Sequence, residues 1–395
     1  MDSNSLCCAA ALSTDRMVSE AVREVCQQAL HALGAAPDLA LLFASADFAP
    51  QMDRIGDEVS TILQTEALLG CTGESIVGNE REIEGGPAVA LWLAHLPGAV
   101  VEPMQLQFQR HSEGGAFVGW PDHFAQPWPA ESALLLLGDP YSFPADALLE
   151  RMNEEHPGVP ILGGMASGAA QPGENRLLLG ARVLSAGAVA VRLSGKVRVR
   201  SLVSQGCRPI GRPMVITKSE RNIIHELGGK PPLEVLNELF PTLSAREQDL
   251  AKQGLQLGRV TSEYREHFSH GDFLVRNVVG ADPESGSLLI GDYVRTGQTV
   301  QFHVRDEQTA DDDLRNLCIA ATEHGTTPAG ALLFTCNGRG TRLFSEADHD
   351  ARCLRDQWPE LPIAGFFAQG EIGPVGPQNF LHGFTASAAL IEPVE

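Results

Sequence analysis

The chain has 395 residues, of which 43% are hydrophobic and 20% charged, and its formal net charge is -21. This length exceeds what one core usually serves, so we expect two or three domains. The negative charge repels phosphate backbones and argues against a nucleic-acid partner. The sequence shows neither an apolar run of about 20 residues, as a membrane helix needs, nor a secretory signal. We therefore expect a cytoplasmic protein.

The cysteines form neither a C-x-x-C pair nor a His/Cys cluster at zinc spacing, so we expect no structural metal and thiols that stay reduced. There are eight of them: Cys7, Cys8, Cys26, Cys71, Cys207, Cys318, Cys336 and Cys353. Glycine accounts for 40 residues, more than the usual 7% or so. This abundance indicates many tight turns and backbone that can be approached closely.

Three segments share one plan, and the first begins with the apolar run 39–43. Apolar residues at helical spacing follow at 55–63, and the phrase Gly-Cys-Thr-Gly-Glu ends the segment at 70–74. This order predicts a strand, a helix, a second strand and a glycine turn.

The second copy runs from the strand-like segment 133–137 through a helix opened by Pro144 to the glycine turn 163–168, which carries no Glu. The third copy starts at 331–334 and ends in Gly-Phe-Phe-Ala-Gln-Gly-Glu at 365–371. Its helix is predicted to begin with a capping box, Ser345-x-x-Asp348. Each copy spans roughly 30 residues, the size of a βαβ unit.

Alternating or apolar segments follow each glycine turn and predict strands that return to a sheet; they lie at 88–94, 186–192 and 384–390. The fold class is therefore α/β or layered α+β: repeated strand-helix-strand-hairpin units form mixed sheets that helices cover, in two pseudo-related domains.

A different pattern separates the second and third copies. Helical periodicity is predicted at 223–227 and 233–240, strands at 273–279 and 298–304, and a helix at 311–323. Gly/Pro punctuation at 211–213 places the predicted boundary between domains 1–210 and 211–395.

These phrases resemble the FIST family, an N-terminal FIST domain followed by a C-terminal FIST domain, from about residue 30 to the end. The resemblance rests on segments 70–74, 163–168, 297–306, 334–339, 365–372 and 379–382. It implies an intracellular sensory module for signal transduction that binds a small ligand, with amino acids as the usual suggestion. No output domain is recognised in these residues, so a separate signalling protein is the expected partner.

Two glutamates follow glycines at the turns, Glu74 after Gly73 and Glu371 after Gly370. Each can reach the amine of a ligand, and the alternative is that each only accepts hydrogen bonds from its own turn. Arg339 suits a ligand carboxylate, which would complete an amino-acid site. Its alternative is an internal ion pair with one of those glutamates.

Other candidates carry stronger structural alternatives. Cys336, at a predicted strand end, and Cys71 are either ligand contacts or small buried residues. Asn379 and His382 either bind ligand or bond within a loop. The turn 163–168 fits neither a P-loop nor a dinucleotide fingerprint and is interpreted as a pocket wall.

Two further functions stay open. An enzyme, a hydrolase or transferase, would use Cys336 or Glu371 and needs a base beside its nucleophile. A haem-binding sensor would need an accessible axial ligand above an apolar pocket, and no short motif marks one.

Overall fold

The computed structural model describes residues 5–111, 114–264, 268, 271–323 and 325–394. The chain divides into two compact units: unit 1 holds residues 1–203, 314–381 and 385–395, and unit 2 holds 204–313 and 382–384. Mixed sheets and helices make up the fold, which confirms the predicted α/β class. None of the helices in the described parts of the chain combines the length and apolar character needed to cross a bilayer.

The elements before the second unit are β1 (Cys7–Ser13), α1 (Val18–Leu33), β2 (Leu39–Ser45), α2 (Met52–Leu63), β3 (Leu68–Gly73), β4 (Ile76–Gly78), β5 (Arg81–Ile83), β6 (Val89–His95), β7 (Ala99–His111), β8 (Gly114–Val118), β9 (Ala133–Gly138), α3 (Ala145–Glu155), β10 (Ile161–Met165), β11 (Leu177–Leu179), β12 (Arg182–Leu184), β13 (Ala188–Gly195) and β14 (Val197–Gln205).

The elements that follow are β15 (Cys207–Glu220), β16 (Ile223–Leu227), α4 (Pro232–Leu239), α5 (Ala245–Gln253), β17 (Leu255–Val260), β18 (Phe273–Ala281), β19 (Leu288–Ile290), β20 (Thr299–Arg305), α6 (Glu307–Thr322), β21 (Gly330–Cys336), α7 (His349–Gln357), β22 (Ile363–Ala368), β23 (Glu371–Val375), β24 (Gln378–His382) and β25 (Thr385–Pro393).

All three predicted repeats are present, and all three lie in unit 1. The parallel strand pairs are β2–β3, β9–β10 and β21–β22, each joined through one helix, α2, α3 or α7. The strand predicted after each glycine turn also exists, since β6, β13 and β25 pair antiparallel with β2, β9 and β21.

Each repeat gives its hairpin to the sheet of another repeat. The β4–β5 hairpin of the first repeat extends β22 of the third, β11–β12 of the second extends β3 of the first, and β23–β24 of the third extends β10 of the second. The exchange is cyclic, so the second strand of every parallel pair has its outer edge covered by another part of the chain.

One glycine in each repeat explains why the phrase recurs. Gly70, Gly163 and Gly365 stand opposite Leu42, Leu136 and Leu333 in the parallel pairs. A Cβ built on them would lie 2.3, 1.8 and 1.7 Å from the carbonyl oxygens of those leucines. The backbone therefore occupies the space that any side chain would need.

Helices cover one face of each sheet. Helices α1 and α2 pack on β2 and its neighbours, α3 on β9 and its neighbours, and α6 and α7 on β21 and its neighbours. The opposite faces share one core, in which the Phe43 and Phe366 rings stack with centroids 5.3 Å apart. The glycine turns lie at the ends of the strands that border this core.

Unit 2 contains a closed barrel with the strand order β15-β16-β19-β18-β17-β20. The predicted strands 273–279 and 298–304 correspond to β18 and β20, and the helix predicted at 233–240 corresponds to α4. The helix predicted at 311–323 corresponds to α6, which begins earlier, at Glu307.

The helical prediction for 223–227 is wrong, because this segment is strand β16. It pairs with β15 and β19, and it buries Ile224 and Leu227 in the barrel core. A short apolar run fits either period, and the two neighbouring strands decide the outcome.

The predicted capping box is also wrong. Helix α7 begins at His349, and Asp348 sits at its N-cap in the left-handed region (φ 63°) with no side-chain cap. The Asp348 carboxylate instead accepts a hydrogen bond from the backbone N–H of Glu82 (2.7 Å).

The predicted domain boundary at 211–213 falls inside β15. Here Gly211 adopts a φ of 66°, and the pairing of β15 with β20 shifts register between Ile210 and Met214. The Gly/Pro punctuation thus marks an irregularity within a long strand.

Gly365→Ala should lower the free energy of unfolding by about 3 kcal/mol, because the new methyl group would overlap a backbone carbonyl that cannot move alone. Gly280→Ala is the matched control, since a Cβ there meets nothing within 4 Å. Urea unfolding followed by circular dichroism measures both. Equal stabilities for the two variants would contradict the close approach.

Candidate functional site

The turns after β3, β10 and β22 meet around one buried side chain, Ser167. Its hydroxyl accepts a hydrogen bond from the backbone N–H of Glu74 (2.8 Å) and donates one to the carbonyl of Phe367. The backbone N–H of Met165 adds a link by donating to the carbonyl of Gly370 (2.9 Å). The three turns therefore form one polar centre at the ends of the parallel pairs.

Glu74 carries the exposed carboxylate of this centre. It forms an ion pair with the Nη2 of Arg342, and the side chains are 37% and 57% exposed. The guanidinium is oriented by a second bond, from Nη1 to the carbonyl of Asn337 (2.8 Å). Two opposite charges thus stand at the surface on backbone that is held in place.

Glu371 carries a fully buried carboxylate and stands opposite Gly164 in the β10–β23 pairing. Its Oε2 accepts hydrogen bonds from the hydroxyl (2.8 Å) and the backbone N–H (3.2 Å) of Thr385. Burial raises the pKa of Glu371 to about 8, although Thr385, Arg339 and the Cys336 thiol each lower it.

Cys336 ends β21 and is half-buried. The backbone N–H of Gly338 donates to its Sγ (3.4 Å). Cys336 is the neighbour of Thr385 across β21 and β25, because Thr335 pairs with Ala386, and Thr385 is the residue that binds Glu371. Within the described part of the chain, Oε1 of Glu371 has no donor with full hydrogen-bond geometry. The thiol, the carboxyl group and the turn amide are therefore neighbours.

Arg339 is completely buried and pairs with Asp350 of α7 in bidentate geometry, Nε–Oδ2 2.7 Å and Nη2–Oδ1 2.8 Å. Burial alone would raise the pKa of Asp350, but the Arg339 guanidinium holds it well below its usual range. The internal ion pair considered for Arg339 exists, but its partner is Asp350 and neither turn glutamate.

A second buried carboxylate, Glu82, lies beside this pair. Its Oε1 accepts a hydrogen bond from the backbone N–H of Ala351 (2.9 Å). Burial, followed by the negative charge of Asp350, raises the pKa of Glu82 to about 8. The charge of Arg339 is therefore balanced by Asp350, with Glu82 favoured in its neutral form at pH 7.

Cys71 and Asn379 lie away from these turns, and His382 belongs to unit 2. Cys71 is buried inside β3 in the apolar core, where burial raises its pKa. Asn379 bonds to Val159 and Ile161 at the start of β10, about 13 Å from the end of that strand at 3.3 Å per residue. His382 is buried and falls in unit 2, outside the unit that holds the polar centre.

Sequence reasoning missed Arg342, Asp350 and Ser167. Ser167 follows Gly163 by four residues, as Glu74 follows Gly70, so aligning the copies on their first glycine would have found it. Arg342 lies three residues after Arg339, and only the structure distinguishes the exposed guanidinium from the buried one.

The fold is of the α/β class, divides into two units and carries one polar centre, in unit 1. A FIST N domain matches residues 38–230 and a FIST C domain matches residues 232–374. These matches cover most of the chain, which therefore belongs to the FIST family. FIST domains are generally regarded as sensory domains of signal transduction.

Mycobacterial relatives match at least 90% of the chain. A protein of Mycobacterium tuberculosis described as uncharacterized is 45% identical over 382 residues, 96% of this chain and 98% of the relative. Another uncharacterized protein, from Mycobacterium bovis, is 45% identical over 361 residues, 90% of this chain and 91% of the relative. An F-box/LRR-repeat protein of Arabidopsis thaliana is 24% identical over 135 residues, 30% of this chain and 26% of that protein.

Arg339→Ala should lower the free energy of unfolding by about 3–5 kcal/mol, because it leaves the Asp350 carboxylate buried without its partner. Arg342→Ala, three residues along the same turn, should cost at most about 1 kcal/mol, as for other exposed ion pairs. Urea unfolding of both variants provides the comparison. Similar losses in the two would show that Arg339 is not a structural residue.

Glu371→Gln should weaken the pH dependence of stability. The folded protein holds a proton on Glu371 that the unfolded chain releases above its usual pKa of 4.5. The stabilisation from this group is therefore complete below about pH 4.5 and is lost as pH rises through about 8.

Unfolding free energies measured between about pH 5 and 8.5 should fall less steeply for Glu371→Gln, by up to about one proton per molecule. Part of the pH dependence of stability should remain in Glu371→Gln, because the pKa of Glu82 is also raised in the folded protein. Glu74→Gln is the exposed control and should retain the slope of the parent chain. An unchanged slope in Glu371→Gln would contradict the raised pKa.

Proposed function

We propose that this protein is a sensory module that binds a small zwitterionic ligand, with an amino acid as the simplest candidate, between Glu74 and Arg342. One observation carries the proposal: a solvent-exposed carboxylate and guanidinium face each other on turns that other contacts hold in place. An amino acid presents the complementary pair, a carboxylate for Arg342 and an ammonium group for Glu74.

Replacing the Glu74–Arg342 ion pair by contacts to a ligand is favourable in free energy. An exposed ion pair contributes only about 0–1 kcal/mol, so separating Glu74 from Arg342 costs little. Hydrogen bonds to charged groups contribute about 1.5–3 kcal/mol each, and the ligand would form several.

The buried residues suit a supporting role better than a direct one. Removing Arg339 from Asp350 to meet a ligand would cost about 3–5 kcal/mol, more than the new contact returns. Glu371 is favoured in its neutral form at pH 7 because its pKa is near 8, so it is a weak partner for an ammonium group. We therefore assign ligand recognition to Glu74 and Arg342, with the carbonyl of Asn337 orienting the guanidinium.

The output of the module is also a proposal. We propose that the two FIST domains at 38–374 pass their signal to a separate signalling protein in the cytoplasm. Ligand entry would act on the turns through Ser167, because its hydroxyl bonds to both the Glu74 and the Phe367 backbone. The partner would thus detect a change where three repeats meet.

Thermal unfolding with each of the common amino acids tests the ligand. A ligand at a hundred times its dissociation constant should stabilise the folded protein by about 2.7 kcal/mol. Arg342→Ala and Glu74→Gln should each remove the shift, because each deletes one of the two charges that hold the zwitterion.

Arg54→Ala is the matched control, since it breaks another exposed ion pair, Arg54–Glu58 on α2, and should leave the shift intact. A folded sample that responds to no amino acid would contradict the proposal. So would a ligand whose stabilising effect survives in Arg342→Ala and Glu74→Gln.

A further inference from the structure

We propose that Cys336 and Glu371 form a peroxide-reactive thiol site, in which the Cys336 sulfur is oxidised to sulfenic acid and Glu371 moves the proton. The ligand class is a small hydroperoxide, with hydrogen peroxide as the simplest member. The inference does not depend on amino-acid binding, because it uses other side chains of the polar centre.

The placement of the thiol is the first support. Cys336 is half-buried at the end of β21, so small molecules can approach it from one side. Glu371 is fully buried, and among the described residues its Oε1 has no fully formed hydrogen bond. Thr335 pairs with Ala386, so Cys336 and Thr385 are the next neighbours across β21 and β25. Thr385 donates to Glu371 (2.8 Å), which brings the carboxyl group close to the thiol and places it to accept the proton.

The charges around the sulfur are the second support. The backbone N–H of Gly338 donates to Sγ (3.4 Å), and both Arg339 and Arg342 interact electrostatically with Cys336. Donors and positive charges stabilise a thiolate.

The reaction balances with one peroxide molecule and no other reagent. The ionised form of Glu371, whose population grows as the pH approaches 8, takes the thiol proton. The thiolate then attacks one peroxide oxygen, forming an S–O bond as the O–O bond breaks. The sulfur is oxidised and the peroxide is reduced. The leaving hydroxide takes the proton back from Glu371 and departs as water, so the carboxyl group ends in the state in which it began.

The requirement for a proton on the leaving group favours a peroxide over other electrophiles. A halide leaves without a proton, whereas hydroxide leaves readily only when it is protonated. A carboxyl group beside the sulfur with a pKa near 8 can accept and return a proton close to neutral pH. Because Cys336 and Glu371 are neighbours, the pKa for loss of the first proton belongs to the two groups together and not to either one alone.

The test uses the full reduced chain, stoichiometric hydrogen peroxide and dimedone, with the sulfenic acid at each cysteine quantified by peptide mass spectrometry. Cys7 is an internal control because it is also half-buried. Cys336 should be labelled at least about tenfold faster than Cys7 near pH 7, and its rate should rise to a plateau above about pH 8. Equal rates at the two cysteines would overturn the proposal.

Glu371→Gln separates proton transfer from simple exposure of the thiol. It should slow the oxidation of Cys336 at least about tenfold, and should slow alkylation by iodoacetamide less, because iodide leaves without a proton. Equal slowing with both reagents would refute the proton-delivery role.

If Glu371→Gln does not fold, as judged by circular dichroism, Thr385→Val replaces it. That variant removes the hydroxyl that bonds to Oε2, so the pH midpoint for Cys336 oxidation should move upward. An unmoved midpoint would overturn the role of Glu371. Arg54→Ala should react as the parent chain does.

Discussion

The architecture of unit 1 depends on the close approach of two parallel strands at a glycine in each repeat. Gly70, Gly163 and Gly365 leave room for a carbonyl oxygen of the adjacent strand, and a methyl group at any of them would collide with backbone. From that point each second strand runs directly into its turn. Its outer edge is covered by a hairpin from another repeat, so the turns of all three repeats converge. The polar centre is a consequence of this convergence.

The polar centre contains two ion pairs with different roles, and their arginines, Arg339 and Arg342, are three residues apart. Arg339 and Asp350 are both buried, where separation would cost several kcal/mol, so they fix the turn after β21. Arg342 and Glu74 are exposed and can be separated at little cost. The buried Arg339–Asp350 pair is therefore the rigid one, and the exposed Arg342–Glu74 pair is the one that is easier to separate. Cys336 precedes both arginines in the chain, and the backbone N–H of Gly338 donates to its sulfur.

The repeats, the strand order within each repeat and the importance of the glycines could be predicted from periodicity and spacing. The exchange of hairpins between repeats could not be predicted. Strands β4, β11 and β23 are short, and their residues do not indicate which sheet each strand joins. The pattern at Ile223–Leu227 fitted two periods, and barrel neighbours determined the strand. An arginine after β21 could be predicted from the sequence. Which arginine is buried could not, because the burial of Arg339 depends on its packing against α7, whereas Arg342 faces solvent.

The central claim is that a zwitterionic ligand replaces the direct contact between Glu74 and Arg342. A crystal structure of the protein with a stabilising amino acid tests it most directly. The account predicts that the ligand carboxylate lies on Arg342, its ammonium group on Glu74, and that Arg339 remains paired with Asp350. A structure in which the ligand is bound elsewhere, with the Glu74–Arg342 ion pair intact, would contradict it.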